Sequence, residues 1–330
     1  MPELSSRSVR ALNRAWGTFK ILLWGLPDHW FGSIDVTNKC NLRCSHCYFF
    51  AQETTDDNLS VDEWVAKLDE LKAAGSPLVQ CSWIGGEPLL RPELIEAGKV
   101  YFRSNVVVTN ATMPLPDWPD VTFYVSVDGT LDYHDKIRGA GTYELIKKYA
   151  NRPDLNIYVC CVITKENHGC LEEMVEEWSD FPIRGMVFDF YTPTEGADDS
   201  QWLPPAERDR VVERILALKE RVGSFIAPPA EAYEAMLSHH SKRVTDNCPY
   251  TASCFSFDSK GGSKGKCMMG DLADCDRCGC VVPYFLWAIQ DRPTIGKMLW
   301  RSMKRKVASA LNSKDEKALE RGVKIESPRP

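Results

Sequence analysis

Cys40-Asn41-Leu42-Arg43-Cys44-Ser45-His46-Cys47 follows closely on Ser33-Ile34-Asp35-Val36, a short run that reads as a strand. The triplet has the spacing C-x3-C-x2-C. Three thiolates this close are soft ligands suited to zinc or to iron–sulfur. A structural zinc site closes with four ligands, usually in pairs, and this triplet has no nearby fourth cysteine. His46 sits between two ligands and has little freedom to fold back as the fourth. An iron–sulfur cluster with one open iron fits better, because an open coordination position is where chemistry takes place.

Outward from the triplet, strand and helix patterns alternate. Further apolar strands read at about 78–84, 104–109, 121–127, 156–163 and 185–191, and helical periodicity falls near 60–75, 91–100, 142–150, 169–178 and 206–222. Ser60 with Glu63 forms a capping box, and Gly75 supplies a stop. Only the 111–120 connection, with three prolines, is too broken for a full helix. Six strands joined mostly by helices imply parallel βα units.

Before the first strand, Val9, Leu12, Trp16, Phe19 and Leu23 mark an amphipathic helix at 8–24. It either packs on the main domain or lies on a membrane surface or lipidic substrate. After about 230 the periodicity fades, and 245–282 is rich in Cys, Gly, Ser, Lys and Asp, as in a small lobe organised by metal. Residues 296–330 hold ten Lys/Arg against four Asp/Glu and read as a solvated basic tail. The expected organisation is an N-terminal helix (1–30), a main barrel (31–230), a Cys-rich lobe (231–295) and the tail (296–330).

Composition narrows the classes. The 330 residues are 44% hydrophobic and 26% charged, which excludes collagen-like, wholly disordered and small disulfide-scaffold proteins. A net charge of −6 offers no global basic field for nucleic acid. Thirteen cysteines are an odd number and are bunched along the chain. With no signal-peptide pattern and no apolar run near the roughly 20 residues of a membrane span, the expected compartment is the reducing cytoplasm. There, clustered cysteines mean metal or catalysis.

Three later segments carry chemistry in a telling order. Trp83-Ile84-Gly85-Gly86-Glu87-Pro88 ends the second strand: two glycines allow close backbone approach, and Glu87 offers a carboxylate to an ammonium group. Val108-Thr109-Asn110-Ala111-Thr112 ends the third. Val125-Ser126-Val127-Asp128-Gly129 ends the fourth and leads into His134-Asp135-Lys136-Ile137-Arg138-Gly139. Together with the cysteine triplet these resemble the radical S-adenosylmethionine (SAM) superfamily: its C-x3-C-x-φ-C signature, with His46 at the usually aromatic φ position, its GGEP motif, and the S-x-D-G…H-D-x-x-R-G run of its peptide- and metabolite-modifying branch. The resemblance implies a partial (β/α)6 TIM-like barrel in the α/β class. It makes Cys40, Cys44 and Cys47 ligands of a [4Fe–4S] cluster. Gly85, Gly86 and Glu87 would hold the methionine amino group of SAM, with Asn110 nearby. Ser126 and Asp128 would approach the ribose, and Arg138 is a candidate for the methionine carboxylate, its planar fork suiting bidentate binding. A solvent-facing Arg138 at a helix entrance is the plainer alternative. Asp189 and Tyr191, at the end of the sixth strand, are candidate substrate contacts, and the polar loop 192–203 is placed to cover the opening.

The second group of cysteines runs Cys248-x5-Cys254-x12-Cys267-x7-Cys275-x2-Cys278-x-Cys280. Phe255-Ser256-Phe257 entering Gly261-Gly262 reads as a β-hairpin with a cysteine at each end. The Cys275/Cys278 pair permits a zinc ribbon. Cys248, Gly262 and Cys267 resemble the opening of the SPASM/twitch-type extension of radical SAM barrels, which implies an auxiliary [4Fe–4S] cluster; the shortened remainder implies one cluster, not two. Cys267, Cys275 and Cys278 are the firmest ligand candidates, with Cys248, Cys254 and Cys280 open. The order of this region, with the N-terminal helix, also loosely resembles the hopanoid adenosyltransferase group. Cys81, Cys160 and Cys161, in strands, and Cys170 read as buried and inert.

The expectation is therefore a radical SAM enzyme that reductively cleaves SAM to a 5′-deoxyadenosyl radical. That radical would abstract hydrogen from, or add to, a peptide, protein or lipid substrate, with an auxiliary cluster assisting and a flavodoxin- or ferredoxin-type electron donor. No nucleic-acid partner and no transmembrane segment are expected, while peripheral membrane contact stays open. The competing class is a non-catalytic iron–sulfur or zinc protein in electron transfer or sensing, which would have no reason to carry the SAM-binding set.

Overall fold

The computed structural model describes residues 30–49, 58–196, 200–291 and 293–295. The amphipathic stretch at 8–24 and the basic stretch at 296–330 lie outside the described residues. All six expected strands form: β1 (Phe31–Asp35), β2 (Gln80–Ile84), β3 (Ser104–Thr109), β4 (Val121–Ser126), β5 (Asn156–Ile163) and β6 (Gly185–Phe190). They pair in chain order, each parallel to the next. Parallel neighbours need crossovers, supplied by α1 (Val61–Ala73), α2 (Pro92–Gly98), α3 (Leu131–Arg138), α4 (Thr142–Ala150) and α5 (Leu171–Ser179). The proline-bearing link between β3 and β4 carries no helix.

Helix α1 shows why these segments fold as they do. Glu63 N–H donates to the Ser60 hydroxyl while Ser60 N–H donates to the Glu63 carboxylate at 2.8 Å, so two otherwise unpaired amides are satisfied. Trp64 and Leu68, one turn apart, are fully buried against the sheet.

The strands alternate, and the direction of the alternation decides what the molecule can hold. In β5, Ile157, Val159, Cys161 and Ile163 are buried beneath the helices, while Asn156, Tyr158, Cys160 and Val162 are only half-buried and line a cavity. Strand β4 does the same with Val121, Phe123 and Val125 against Thr122, Tyr124 and Ser126. A closed eight-stranded barrel fills its interior with side chains. Here the sheet stays open, and its concave face is a cavity wall.

The Cys-rich region corrects one expectation. Cys254–Phe257 forms a seventh strand, β7, parallel to β1 with Phe31 opposite Cys254 and Ile34 opposite Phe257. The sheet order is β6-β5-β4-β3-β2-β1-β7. The expected hairpin shrinks to a single bridge, Phe257 to Ser263, with Lys264 N–H donating to Ser256 O, while the strand's other edge pairs with β1. Gly32 permits this: a Cβ there would lie 2.4 Å from the Phe255 ring. Helices α6 (Pro205–Val222), α7 (Ala230–Glu234), α8 (Ser238–Thr245), α9 (Pro249–Ser253) and α10 (Val281–Gln290) surround this region. The loop after β6 is pinned to it: Asp274 N–H donates to Pro193 O and Glu195 N–H to Leu272 O, at 3.1 and 2.7 Å.

Candidate active site

One cavity of about 620 Å³ collects the residues expected around the first cysteine triplet, Asp128 excepted. Cys40, Cys44 and Cys47 line it, with Gly85, Gly86, Glu87, Asn110, Ser126, Arg138, Asp189 and Tyr191. Apart from Arg138, the last residue of α3, they come from the C-terminal ends of β1, β2, β3, β4 and β6, where parallel barrels keep their sites.

The cysteine loop is held from beneath. Gly86 N–H donates to Thr37 O and Glu87 N–H to Lys39 O, at 2.9 and 2.8 Å. A Cβ on Gly86 would lie 2.1 Å from Lys39 O, and Gly85 has φ +122° with Thr37 O 2.7 Å from its would-be Cβ. The close approach these glycines allow is thus to the cysteine loop itself. The Asn110 amide donates to Asn41 Oδ1 at 2.8 Å and to Cys40 Sγ at 3.8 Å, and Asn41 donates in turn to Thr112 Oγ1 at 2.8 Å. Asn41 and Thr112 are braces that motif reading passes over.

Three donors point at two of these sulfurs: Leu42 N–H and the Asn110 amide at Cys40, and Arg138 Nη1 at Cys44, 3.9 Å away. Such donors favour thiolates, so the donor set fits an anionic iron–sulfur cluster. Burial pushes both thiols up, Cys44 to about 11. They keep their protons until a metal displaces them. Glu87 is buried and accepts from Leu89 N–H, Thr109 Oγ1 and Asn110 N–H. Burial raises its carboxyl despite these donors. A carboxylate offers about four acceptor positions, so one is left on Oε2.

Asp128 is placed differently from expectation. It is fully buried and does not line the cavity; Oδ1 accepts from Val162 N–H at 2.9 Å, and Oδ2 accepts from Arg138 Nε at 2.5 Å and pairs with His46 Nε2 at 2.7 Å. Buried away from the cavity, it sets Arg138 and His46 rather than facing a ligand there. Burial alone would raise its carboxyl, but Arg138 and His46 outweigh that and hold it well below the usual range. Arg138 is the last residue of α3, its side chain only 9% exposed, so the solvent-facing alternative fails.

A model of the radical SAM superfamily matches residues 34–178. That stretch of the chain belongs to the radical SAM superfamily. A [4Fe–4S] cluster and SAM are the superfamily's cofactors and those of this core. Fe-coproporphyrin III synthase of Methanosarcina barkeri is 36% identical over 117 residues, 32% of this chain and 29% of that one. The sporulation killing factor maturation protein SkfB of Bacillus subtilis is 26% identical over 179 residues, 46% of this chain and 42% of the relative. The chain thus spans well under two thirds of these relatives. Among solved structures, Streptococcus suis SuiB bound to its precursor peptide SuiA superposes with a TM-score of 0.59 at 15% identity, over 90% of this chain and 73% of SuiB, which shows the shared fold.

Beside the radical SAM core, the second cysteine group separates into parts. Cys248, Cys267, Cys275, Cys278 and Cys280 line a second, smaller cavity, and Cys254 does not. Cys248, Cys267, Cys275 and Cys278 feel one another's charge in every pairing, Cys280 feels Cys267 and Cys278, and Cys254 feels Cys248. Burial, with that repulsion added, pushes Cys278 up to about 12. Cys254, the first residue of β7, packs with Phe31, Tyr250 and Leu286. Cys280 lines both cavities and faces Asp189, whose Oδ1 accepts from Val281 N–H at 2.6 Å and whose Oδ2 accepts from Cys160 Sγ at 3.5 Å. Asp189 therefore clamps the start of α10 onto β6 while lining the cavity. All thirteen cysteines are free thiols. Cys81, Cys161 and Cys170 are buried as expected, but the β5 alternation turns Cys160 into the cavity.

No helix among the described residues is long and apolar enough to cross a membrane.

Proposed function

We propose that this chain is a radical SAM enzyme that modifies a peptide side chain, assisted by one auxiliary [4Fe–4S] cluster. The observation that carries it is the single cavity shared by Cys40, Cys44, Cys47, Glu87, Arg138 and Asp189. When bound, the reduced cluster supplies the electron that splits SAM into methionine and a 5′-deoxyadenosyl radical, which abstracts hydrogen from, or adds to, the substrate. The chain's own residues do the rest. Cys40, Cys44 and Cys47 hold three irons. Glu87 and the Arg138 guanidinium take the methionine amino and carboxylate groups, which fixes the sulfonium beside the cluster and gains by proximity. Ser126 faces the nucleoside. Asp189 and Tyr191 contact the substrate. In the domain plan, 31–230 is the core and 231–295 the auxiliary region. Cys248, Cys267, Cys275 and Cys278 are the auxiliary ligands, leaving Cys254 and Cys280 outside the set.

A peptide is favoured over other substrates on two grounds. The named role of SkfB and the peptide in the SuiB complex point that way. The cavity wall also disfavours a polycarboxylate, because Arg138 is its only Lys or Arg among the described residues. Its walls are mostly apolar, with Tyr124 and Tyr158 rings edge to face at 5.7 Å, which suits an uncharged side chain. Thirteen free thiols and oxygen-labile clusters support a reducing cytoplasm and a flavodoxin- or ferredoxin-type donor.

The test is anaerobic reconstitution with iron and sulfide, then dithionite and SAM. The wild type should release 5′-deoxyadenosine and Cys44→Ala at least a hundredfold less. Equal yields from both, with iron content confirmed, would leave the non-catalytic class standing.

A further inference from the structure

Arg208 lies in the first turns of α6 with only 6% of its surface exposed. Nη1 donates to the Cys278 carbonyl at 3.0 Å and Nη2 to Ser241 Oγ at 3.2 Å, while the buried Nε–H makes no hydrogen bond. Among the described residues no carboxylate stands within ion-pair distance of it. A buried charge without a partner is strongly unfavourable. Other buried cations among the described residues are compensated. Arg138 meets Asp128, and Lys264 meets Asp35 at 2.8 Å. Lys219, further along α6, donates to the Gly223 and Ile226 carbonyls at the helix's C-terminal end, where the dipole is negative. Arg208 sits near the N-terminal end of the same helix, where the dipole is positive and opposes a cation. Its compensation has to come from something beyond these side chains.

What lies on its other side is the peptide of Cys278, one of five cysteines that line the second cavity. Four thiolates around a [4Fe–4S] core make a net dianion, and one-electron reduction adds a further negative charge. We propose that Arg208 is the built-in counter-charge of the auxiliary cluster and holds its reduction potential up. This rests on the reading of Cys248, Cys267, Cys275 and Cys278 as cluster ligands. The cation stabilises the reduced form more than the oxidised form, through charge and through the hydrogen bond to a ligand's own peptide. Tyr284 Oη donates to the same carbonyl at 3.4 Å and completes the arrangement.

The experiment uses the full chain in a Cys40→Ala/Cys44→Ala/Cys47→Ala background, so that any iron–sulfur signal belongs to the auxiliary site. Anaerobically loaded protein is titrated with dithionite and redox mediators and followed by electron paramagnetic resonance, with and without Arg208→Met and Arg208→Lys. The reduction equilibrium should move against the reduced form at least tenfold in R208M, about 59 mV for one electron, and stay near the parent value in R208K. Where R208M fails to hold iron, Arg208→Gln, which keeps a donor for the Cys278 carbonyl, is read the same way. An unmoved midpoint with about four irons retained overturns the role of Arg208 alone. Absence of iron in the parent background overturns the auxiliary-cluster reading itself.

Discussion

Asp128 holds Arg138 on one side and His46 on the other, and its second oxygen takes the Val162 amide. Asp128→Asn keeps the shape but removes the charge and leaves a nearly buried guanidinium unmatched. Breaking such a pair costs ~3–5 kcal/mol, so anaerobic denaturant unfolding should show a loss of that order. Because Arg138 would no longer be held at the cavity wall, SAM affinity of the loaded protein should fall at least tenfold by equilibrium dialysis. Wild-type SAM affinity in D128N would refute the positioning role. The S-x-D-G stretch was legible as site chemistry from residue types alone, but the direction of Asp128 was not. β4 ends at Ser126, and Gly129 at φ +120° redirects the chain, so strand alternation no longer says where residue 128 points. For Cys160 the opposite holds. Alternation along β5 does turn it inward, but an inward position in a barrel ordinarily means packed core, and only the open sheet makes it a cavity wall.

At the level of elements, the cysteine loop and the auxiliary region are joined by one buried ion pair. Asp35 is the last residue of β1, and Lys264 lies between β7 and Cys267; both side chains are 4% exposed, with Nζ 3.0 and 2.8 Å from the carboxylate oxygens. Burial raises the Asp35 carboxyl and Lys264 pulls it down. Lys264→Met should therefore destabilise the chain by ~3 kcal/mol or more and lower its iron content after reconstitution. Asp35→Asn combined with Lys264→Met should recover much of the stability, since no unmatched charge is left. Additive losses in unfolding experiments would show that the two residues do not act as a pair. This link was invisible in the sequence: the partners are separated by more than two hundred residues, and each alone reads as a surface charge. α3 was missed for a different reason. Its eight residues, Leu131–Arg138, are mostly polar, with His134 and Ile137 its buried residues, too weak a stripe for periodicity to reveal.

Across the whole molecule, six strands and their crossovers were legible because each is a local apolar run bounded by turn or helix signals. The seventh was not. Cys254-Phe255-Ser256-Phe257 alternates as a strand should, but its ladder is formed with β1, and the nearby stretch after Gly262 contributes only the bridge at Ser263. Local pattern carries strand character; it does not carry long-range pairing. A chain ended at residue 245 would keep the six-stranded sheet but leave β1 as a bare edge next to Phe31, a template for association. It should run as oligomers or aggregate in size-exclusion chromatography to a greater extent than the full chain. A monodisperse truncated chain would contradict this.

The same strand sets a schedule for synthesis. β1 leaves the ribosome among the first strands, yet its outer neighbour is made more than two hundred residues later. Throughout that interval the loop bearing Cys40, Cys44 and Cys47 is flanked by an unfinished edge, and long-range closure is slow. The loop that bears Cys40, Cys44 and Cys47 thus has its full structural support only once Cys254–Phe257 has been made and has paired with β1.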